Sequence, residues 1–394
     1  MHKVSADAAD FNPDELYKPE NLASPQPFYK RLRSIGAVVP THFGVQVVRR
    51  REAEFALQHP DLFSSGMEAV DLGQKRPLIP LQVDPPDHLK YRRLLDPIFA
   101  PRQINPLEPD TARLVNELID GFVDNGRCNF GEEFAVPLPS LVFLSLLGLP
   151  VSDLDDFLRM KNAILRPQGE SLEELAAYQR EGAQKIDDYF AGALEQRLQV
   201  REDDLLSRFL DAEVEGEKLT EDEILGICFL FLLAGLDTVT DALECSFAYL
   251  AQHPEDRRLI VKSPAILPSA VEELLRWESP VTEVARVARQ DVVLGGCPIA
   301  KGQSVGISLG SANTDEREME DAYRVDLTRK PNRHLAFGAG VHRCLGSHLA
   351  RLELRVALRE WHARIPDYEL APGSELVYQP GLRQVDNLSL VYAR

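Results

Sequence analysis

The longest apolar run in this chain dictates what can be built around it. Ile224 to Leu236 is 13 residues long, contains Gly226 and Gly235, and carries no charge. It is preceded by Thr220-Glu221-Asp222-Glu223, a capping box in which the threonine and the glutamate three residues later satisfy each other's backbone donors. It is followed by His253-Pro254, a stop signal. The spacing predicts one helix from Thr220 to about Gln252. At ~1.5 Å per residue, about thirty residues span roughly 45 Å, the width of a domain. A helix this apolar must be covered on most sides by other elements. The run is too short to predict a membrane span. In its middle lies Ala234-Gly235-Leu236-Asp237-Thr238. The two small residues open space beside the helix. Thr238 can bond a carbonyl one turn back and bend the ladder. Asp237 is costly in such surroundings unless it is paired or reached by water.

The other elements read as mostly helix. Helical periodicity dominates from about residue 88, as at Leu114, Leu118 and Phe122 and from Leu154 to Leu165. Short strands are expected at Val38-Val39-Pro40, Val45–Val48, Val292–Leu294, Ser304–Ser308 and Leu388–Tyr392. No βαβ alternation appears, so the fold class is mainly α with small β-sheets built from distant parts of the chain. Residues 1–394 are expected to form one domain, with 1–26 as an irregular lead-in. The N-terminus shows no hydrophobic core of a secretory signal. Asp and Glu number 62 against 44 Lys and Arg, a net charge of −18. That surface repels nucleic acid and anionic membranes, so neither is an expected partner. Five scattered cysteines without zinc-ligand spacing read as free thiols in a reducing cytoplasm.

One of those cysteines sits in Phe337-Gly338-Ala339-Gly340-Val341-His342-Arg343-Cys344-Leu345-Gly346. The glycines let backbone approach a bulky partner and let amides turn toward an anion. A helical pattern follows (Leu349, Leu352, Leu354, Val356, Leu358), so the sulfur would lie where a loop enters a helix N-terminus. Both features are expected to favour the metal-binding thiolate. The segment resembles the haem-binding loop of cytochromes P450, F-G-x-G-x-H-x-C-x-G, with all six specified positions filled. The resemblance implies the P450 fold over nearly the whole chain, with haem b between the long central helix and the Cys-bearing loop, and Cys344 as the iron ligand. Lack of an N-terminal anchor is similar to the soluble, bacterial-type branch.

Three further segments fit the same family. Ala234-Gly235-x-Asp237-Thr238 resembles its oxygen-activating helix, which implies room for O2 beside Ala234 and Gly235, a hydrogen-bonding Thr238 and a proton-supplying Asp237. The second threonine common in relatives is Val239 here. Glu273 and Arg276 resemble the ExxR pair that braces the Cys loop. A third arginine is implied, with Arg329 the first candidate and Arg324 the second. His88 and Arg92, after Asp84-Pro85-Pro86, resemble a haem-propionate motif with His where many relatives have Trp. Arg286 and His342 complete the candidate propionate partners. Phe337, Gly338 and Gly346 are expected at the haem face. Leu230, Leu233, Ala234, Thr238, Val281, Val284 and Leu382 are expected to line an apolar substrate pocket, shaped by loops at about 66–82 and 165–182.

The implied activity is a monooxygenase acting on a lipophilic small molecule with O2. The chain has no G-x-G-x-x-G after a strand, so a ferredoxin or flavodoxin with its reductase is expected as electron donor. Arg343, Arg351 and Arg355 are candidates for its docking face. The protein itself is expected to be a monomer. The alternatives are a peroxide-driven haem-thiolate enzyme, a haem sensor or carrier, and a cysteine hydrolase using Cys344 with a histidine.

Overall fold

The computed structural model describes residues 12–42, 44–214 and 216–393. Its axis is the central helix, Glu221–Gln252. Both bonds of the capping box are made: Glu223 N to Thr220 Oγ1 at 3.2 Å and Thr220 N to Glu223 Oε2 at 2.7 Å. The helix ends at His253, and Pro254 opens the next one, Pro254–Lys262. Thr238 Oγ1 donates to Ala234 O at 2.8 Å, as the spacing suggested. The α-helix nevertheless continues unbroken through Ala234–Thr238. By length and hydropathy this helix could cross a membrane, but most of its apolar window is buried inside the protein. Packing on all sides explains an apolar helix with no amphipathic stripe.

Helices Pro137–Leu147, Leu154–Leu165, Leu172–Gln199, Leu267–Glu278 and Ser347–Arg364 surround that axis. One of them corrects the sequence reading. Residues 172–182, expected within a loop, are the first turns of the 28-residue helix Leu172–Gln199. Its start is marked by a second capping box, Ser171 with Glu174. Residues 66–82 do remain largely outside helices and strands. The lead-in is also more ordered than expected. Residues 1–11 lie outside the described residues, but Pro13–Tyr17 is a 3-10 turn, and Pro19–Ala23 and Pro25–Ile35 are helices that each start on a proline.

The largest sheet has five strands in the order Val38–Thr41, Gly44–Val47, Ser304–Ser308, Glu283–Ala288 and Phe63–Ser64. Its register pairs Val305 with Arg286 and Ile307 with Val284, which fixes how Glu283–Ala288 meets the site. A second sheet joins Tyr368–Leu370, Ser389–Tyr392 and Arg127–Asn129. Behind the site, Trp361 is fully buried among Phe122, Phe130, Phe134 and Phe247, with ring centroids 5.0–5.7 Å away. Edge-to-face contacts dominate this cluster, the arrangement that aromatic quadrupoles prefer.

Candidate active site

The Cys loop is shaped by its own backbone. Cys344 N donates to Phe337 O at 2.9 Å and Gly338 N to Leu335 O at 2.8 Å. Gly338 and Gly340 have φ of 66° and 69°, which side chains with a Cβ adopt at a cost. At Gly340 a Cβ would also stand 2.2 Å from Leu57 O. Gly338 and Gly346 differ: a Cβ at either would meet nothing within 4 Å, so both leave a flat, open surface beside the sulfur. The helix Ser347–Arg364 begins three residues after Cys344.

The thiol feels opposing influences. The Gly346 N–H bonds the sulfur, and Arg92, Arg343 and Arg351 add favourable charge, while desolvation by the surrounding protein pushes the Cys344 thiol up. The side chain is nonetheless exposed to the cavity, and a bound cation would favour its thiolate further. Among the described residues no imidazole bonds this sulfur, so the hydrolase reading lacks its base.

Glu273 and Arg276 tie together the segment from Asn313 to Asn332 that leads into the Cys loop. Both are fully buried and pair through two bonds of 2.8 Å. Arg329 is the third side chain, with Nε 3.1 and 3.2 Å from the carboxylate oxygens. Arg324 contributes only its carbonyl, to Arg276 and Arg329. Asp326 N and Asn332 Nδ2 complete the carboxylate at 2.8 and 2.9 Å. Arg276 Nη1 reaches the carbonyls of Asn313 and Ala322. A buried pair needs this saturation, because otherwise its desolvation outweighs its attraction.

A cavity of about 460 Å3 joins the Cys loop to the central helix. Cys344, Phe337, Gly338, His342 and Gly346 line one part. Leu230, Ala234, Gly235 and Thr238 line another, together with Val281 and, from the strand Glu283–Ala288, Val284. Leu233, Asp237 and Leu382 do not line it. The helical period explains the first two. Residues 230, 234, 238 and 242 form one stripe and 231, 235 and 239 its neighbour, whereas 233 and 237 fall on the flank. Leu382 instead makes an isolated backbone bridge to Val281. Asp237 is buried and ion-paired with Lys161, and Arg166 lies 3.9 Å away.

The candidate propionate partners gather at one edge of the cavity. His88, Arg92, Arg286 and His342 all line it. Both ring nitrogens of His88 are buried without a partner. Arg286 is buried, bonds the Ala285 carbonyl, and has no carboxylate within ion-pair distance among the described residues. Burial holds His88 down to about 4, with Arg92 adding to the effect, and His342 down to about 3, with His88 and Arg286 adding. Burial also lowers Arg286 to about 10. In the protein alone, then, Arg286 is charged at neutral pH, and the two histidines are neutral and offer N–H donors. Arg92 is paired with Asp96 at 2.8 Å, but a buried Arg286 without a carboxylate and a His88 with both nitrogens unpartnered, facing a cavity beside flat glycines and a thiol, fit a planar iron-binding group with two carboxylates.

The sequence reading missed several members of this site. Ser65 Oγ bonds His342 Nε2 at 2.9 Å and the Leu81 carbonyl at 2.8 Å. Glu272 takes two bonds from Arg351, at 2.6 and 2.8 Å, and one from His334 at 3.0 Å. Arg351 also lies over the Phe337 ring, 4.3 Å from its centroid. Glu353 lines the cavity with one carboxylate oxygen unpartnered, and burial pushes it up to about 8. It can hold a proton at neutral pH.

The comparisons agree with this geometry. The family profile of cytochrome P450 matches residues 144–259 and 264–361. Cytochrome P450 130 of Mycobacterium tuberculosis is 34% identical, covering 93% of this chain and 94% of its own. The mycinamicin IV hydroxylase/epoxidase of Micromonospora griseorubida is 37% identical over 77% and 76%. The crystal structure of CYP109E1 from Bacillus megaterium with testosterone superimposes at a TM-score of 0.89, with 28% identity over 96% and 100% of the two chains. The chain belongs to the cytochrome P450 family and is a haem b monooxygenase.

Proposed function

We propose that this enzyme hydroxylates or epoxidises a neutral lipophilic small molecule, with Cys344 as iron ligand and Thr238 as the residue that manages oxygen. One observation carries the reading: Cys344 and Thr238 open into the same cavity, walled chiefly by apolar side chains. When bound, haem supplies the reduction and splitting of O2, pushed by an electron-rich thiolate. The remaining work belongs to the chain. Ala234 and Gly235 keep the helix surface low beside the oxygen position. Thr238 spends its proton on Ala234 O and leaves its oxygen lone pairs free to accept from a donor in the cavity. Asp237, on the adjacent face, supplies the acid partner, and the surrounding apolar wall excludes bulk water.

Neutrality of the substrate follows from what lines the cavity. Arg92 and Arg286 sit at the propionate edge. Gln82 is already engaged: its oxygen accepts from Leu78 N and Gln74 Nε2, and its amide donates to Val70 O. Arg76 nearby is paired with Asp187 at 2.7 Å and Asp222 at 3.1 Å. The cations among the described lining residues are Arg92, Arg286 and Arg343, at the propionate edge and on the Cys loop; away from these a substrate carboxylate would meet no cation, and desolvating it would be costly. In a titration that follows the Soret band, neutral steroids or macrolactones are expected to shift the purified holoenzyme at concentrations at least ten-fold below fatty acids of similar size. Equal or tighter response to the acids would overturn the neutral-substrate reading.

Electrons come, on this reading, from a ferredoxin or flavodoxin with its reductase, and the enzyme works as a single-domain monomer in the cytoplasm. The expected docking arginines are narrowed by the structure. Arg351 is committed to Glu272, and Arg355 to Glu108 at 2.8 Å. Arg343 is exposed and makes no side-chain ion pair among the described residues, so it is the docking candidate that remains.

Thr238→Ala tests the oxygen-handling role. We expect NADPH consumption to persist while product per NADPH falls several-fold and hydrogen peroxide rises to match, read in a reconstituted assay. Unchanged coupling would remove Thr238 from the mechanism.

A further inference from the structure

Asp241 is a buried acid that the known chemistry does not use. It follows Asp237 by one turn of the central helix, and Glu244 follows by almost another, so the three carboxyls share one flank. They are 2%, 0% and 2% exposed. Asp237 has Lys161, and Glu244 Oε2 accepts from Val385 N at 3.2 Å. Both oxygens of Asp241 are buried with no hydrogen-bond partner. The charged groups around it are Asp237 and Glu244 on its own helix, Lys161 and Arg166 from the neighbouring helix Leu154–Leu165 and its end, and Asp386 next to Glu244. Lys161 is the one buried cation in that group, and Asp237 already takes it.

We propose that Asp241 is a proton store for the oxygen-handling face of the central helix, keeping a carboxyl proton next to Asp237 and handing it over when Asp237 has given one up. The step is a proton exchange without oxidation: as one O–H bond breaks at Asp241 and one forms at Asp237, whose carboxylate starts on Lys161, a solvent proton arrives at Asp241 in the same exchange, so Asp241 is never left as an unpartnered anion. Three observations support it. An ionised, unpartnered carboxylate at zero exposure would carry the full desolvation cost, which a neutral acid avoids. Burial, reinforced by the charges of Asp237 and Glu244, pushes the Asp241 carboxyl well up. And Arg166, whose side chain is 44% exposed, lies against the cluster and gives it a route to solvent. Asp241 acts through Asp237 and is therefore a positioning residue. The proposal rests on the assignment of Thr238 and Asp237 above.

The test is Asp241→Asn, which keeps size and polarity and removes the titrating proton. Two readouts are needed. In the first, melting of holoenzyme is followed against pH. The folded wild type keeps a proton that the unfolded chain releases above the ordinary aspartate range, so its folding constant falls up to ten-fold per pH unit there. The variant lacks this contribution, so its advantage over wild type should grow as pH rises. The second readout is coupling and the solvent isotope effect: product per NADPH should fall at least two-fold and the isotope effect should rise, with Asp241→Glu restoring part of both. If the variant misfolds, infrared spectra of wild-type and Asp241→Glu holoenzyme compared at neutral pH still decide, since a store's protonated C=O band must move with that side chain while those of Glu244 and Glu353 stay in place. A stability gap independent of pH, no band that moves, or unchanged coupling and isotope effect would each overturn the proposal. Failure of the Thr238→Ala test with these signatures intact would instead strike the oxygen-handling assignment.

Discussion

Cys344→Ser is expected to abolish activity and to erase the red-shifted Soret band that a thiolate ligand gives the reduced CO complex. The hydroxyl is nearly isosteric, but it does not give up its proton to the metal at neutral pH, and an alcohol supplies little of the electron push that splits O2. The loop itself should survive. Its shape comes from the Phe337–Cys344 backbone bond, from Gly338 and Gly340 in left-handed conformations, and from the close pass of Gly340 against Leu57, none of which uses the sulfur. The orphaned His88 and the buried arginine at 286 also remain, so some haem should still bind. We therefore expect a folded protein with reduced haem content, at least a hundred-fold less product, and a CO complex absorbing at shorter wavelength. A variant with both the spectrum and the turnover of wild type would refute the ligand assignment.

Glu273→Ala should do the larger damage to the fold. The substitution leaves Arg276 fully buried without its carboxylate and takes the partner from Arg329, Asn332 and the Asp326 amide as well. Removing one member of a buried pair costs about 3–5 kcal/mol, because the remaining charge is uncompensated. That is a large part of the roughly 5–15 kcal/mol by which a domain is stable. Urea unfolding of holoenzyme should show the loss in midpoint, together with weaker haem retention. Glu273→Gln, which can still accept some of these bonds, should lie between. If the alanine variant unfolds within about 1 kcal/mol of wild type, the node does not hold the loop in the way its saturation implies.

Local chemistry with a sharp signature was legible from residues alone. The capping box at Thr220 and the stop at His253-Pro254 located the central helix, and the glycine-framed cysteine located the site. Ser304–Ser308 emerged because its alternation fits a pleated strand. What the sequence hides is pairing between distant charges. Lys161 stands 76 residues before Asp237, and nothing local says that they meet. The same holds for Arg351 with Glu272 and Arg355 with Glu108, two partly exposed arginines whose ion pairs no local pattern announces. Other misses had a signal. The flank position of Leu233 and Asp237 follows from the 3.6-residue period once Ala234 and Thr238 are taken as facing the cavity. The helix Leu172–Gln199 announces itself through Ser171 and Glu174.

On the assignment proposed above, the strand Glu283–Ala288 ties substrate selection to cofactor retention. Val284 and Arg286 are two residues apart and so point to the same side, one at the substrate and one at the propionate edge, and both are held in register by Ser304–Ser308. Remodelling the wall at 284 by shifting the strand would drag the guanidinium with it. New specificities should therefore accumulate elsewhere first, in the stretch around Val70 and Leu72, which borders the same chamber and contains none of the proposed propionate partners.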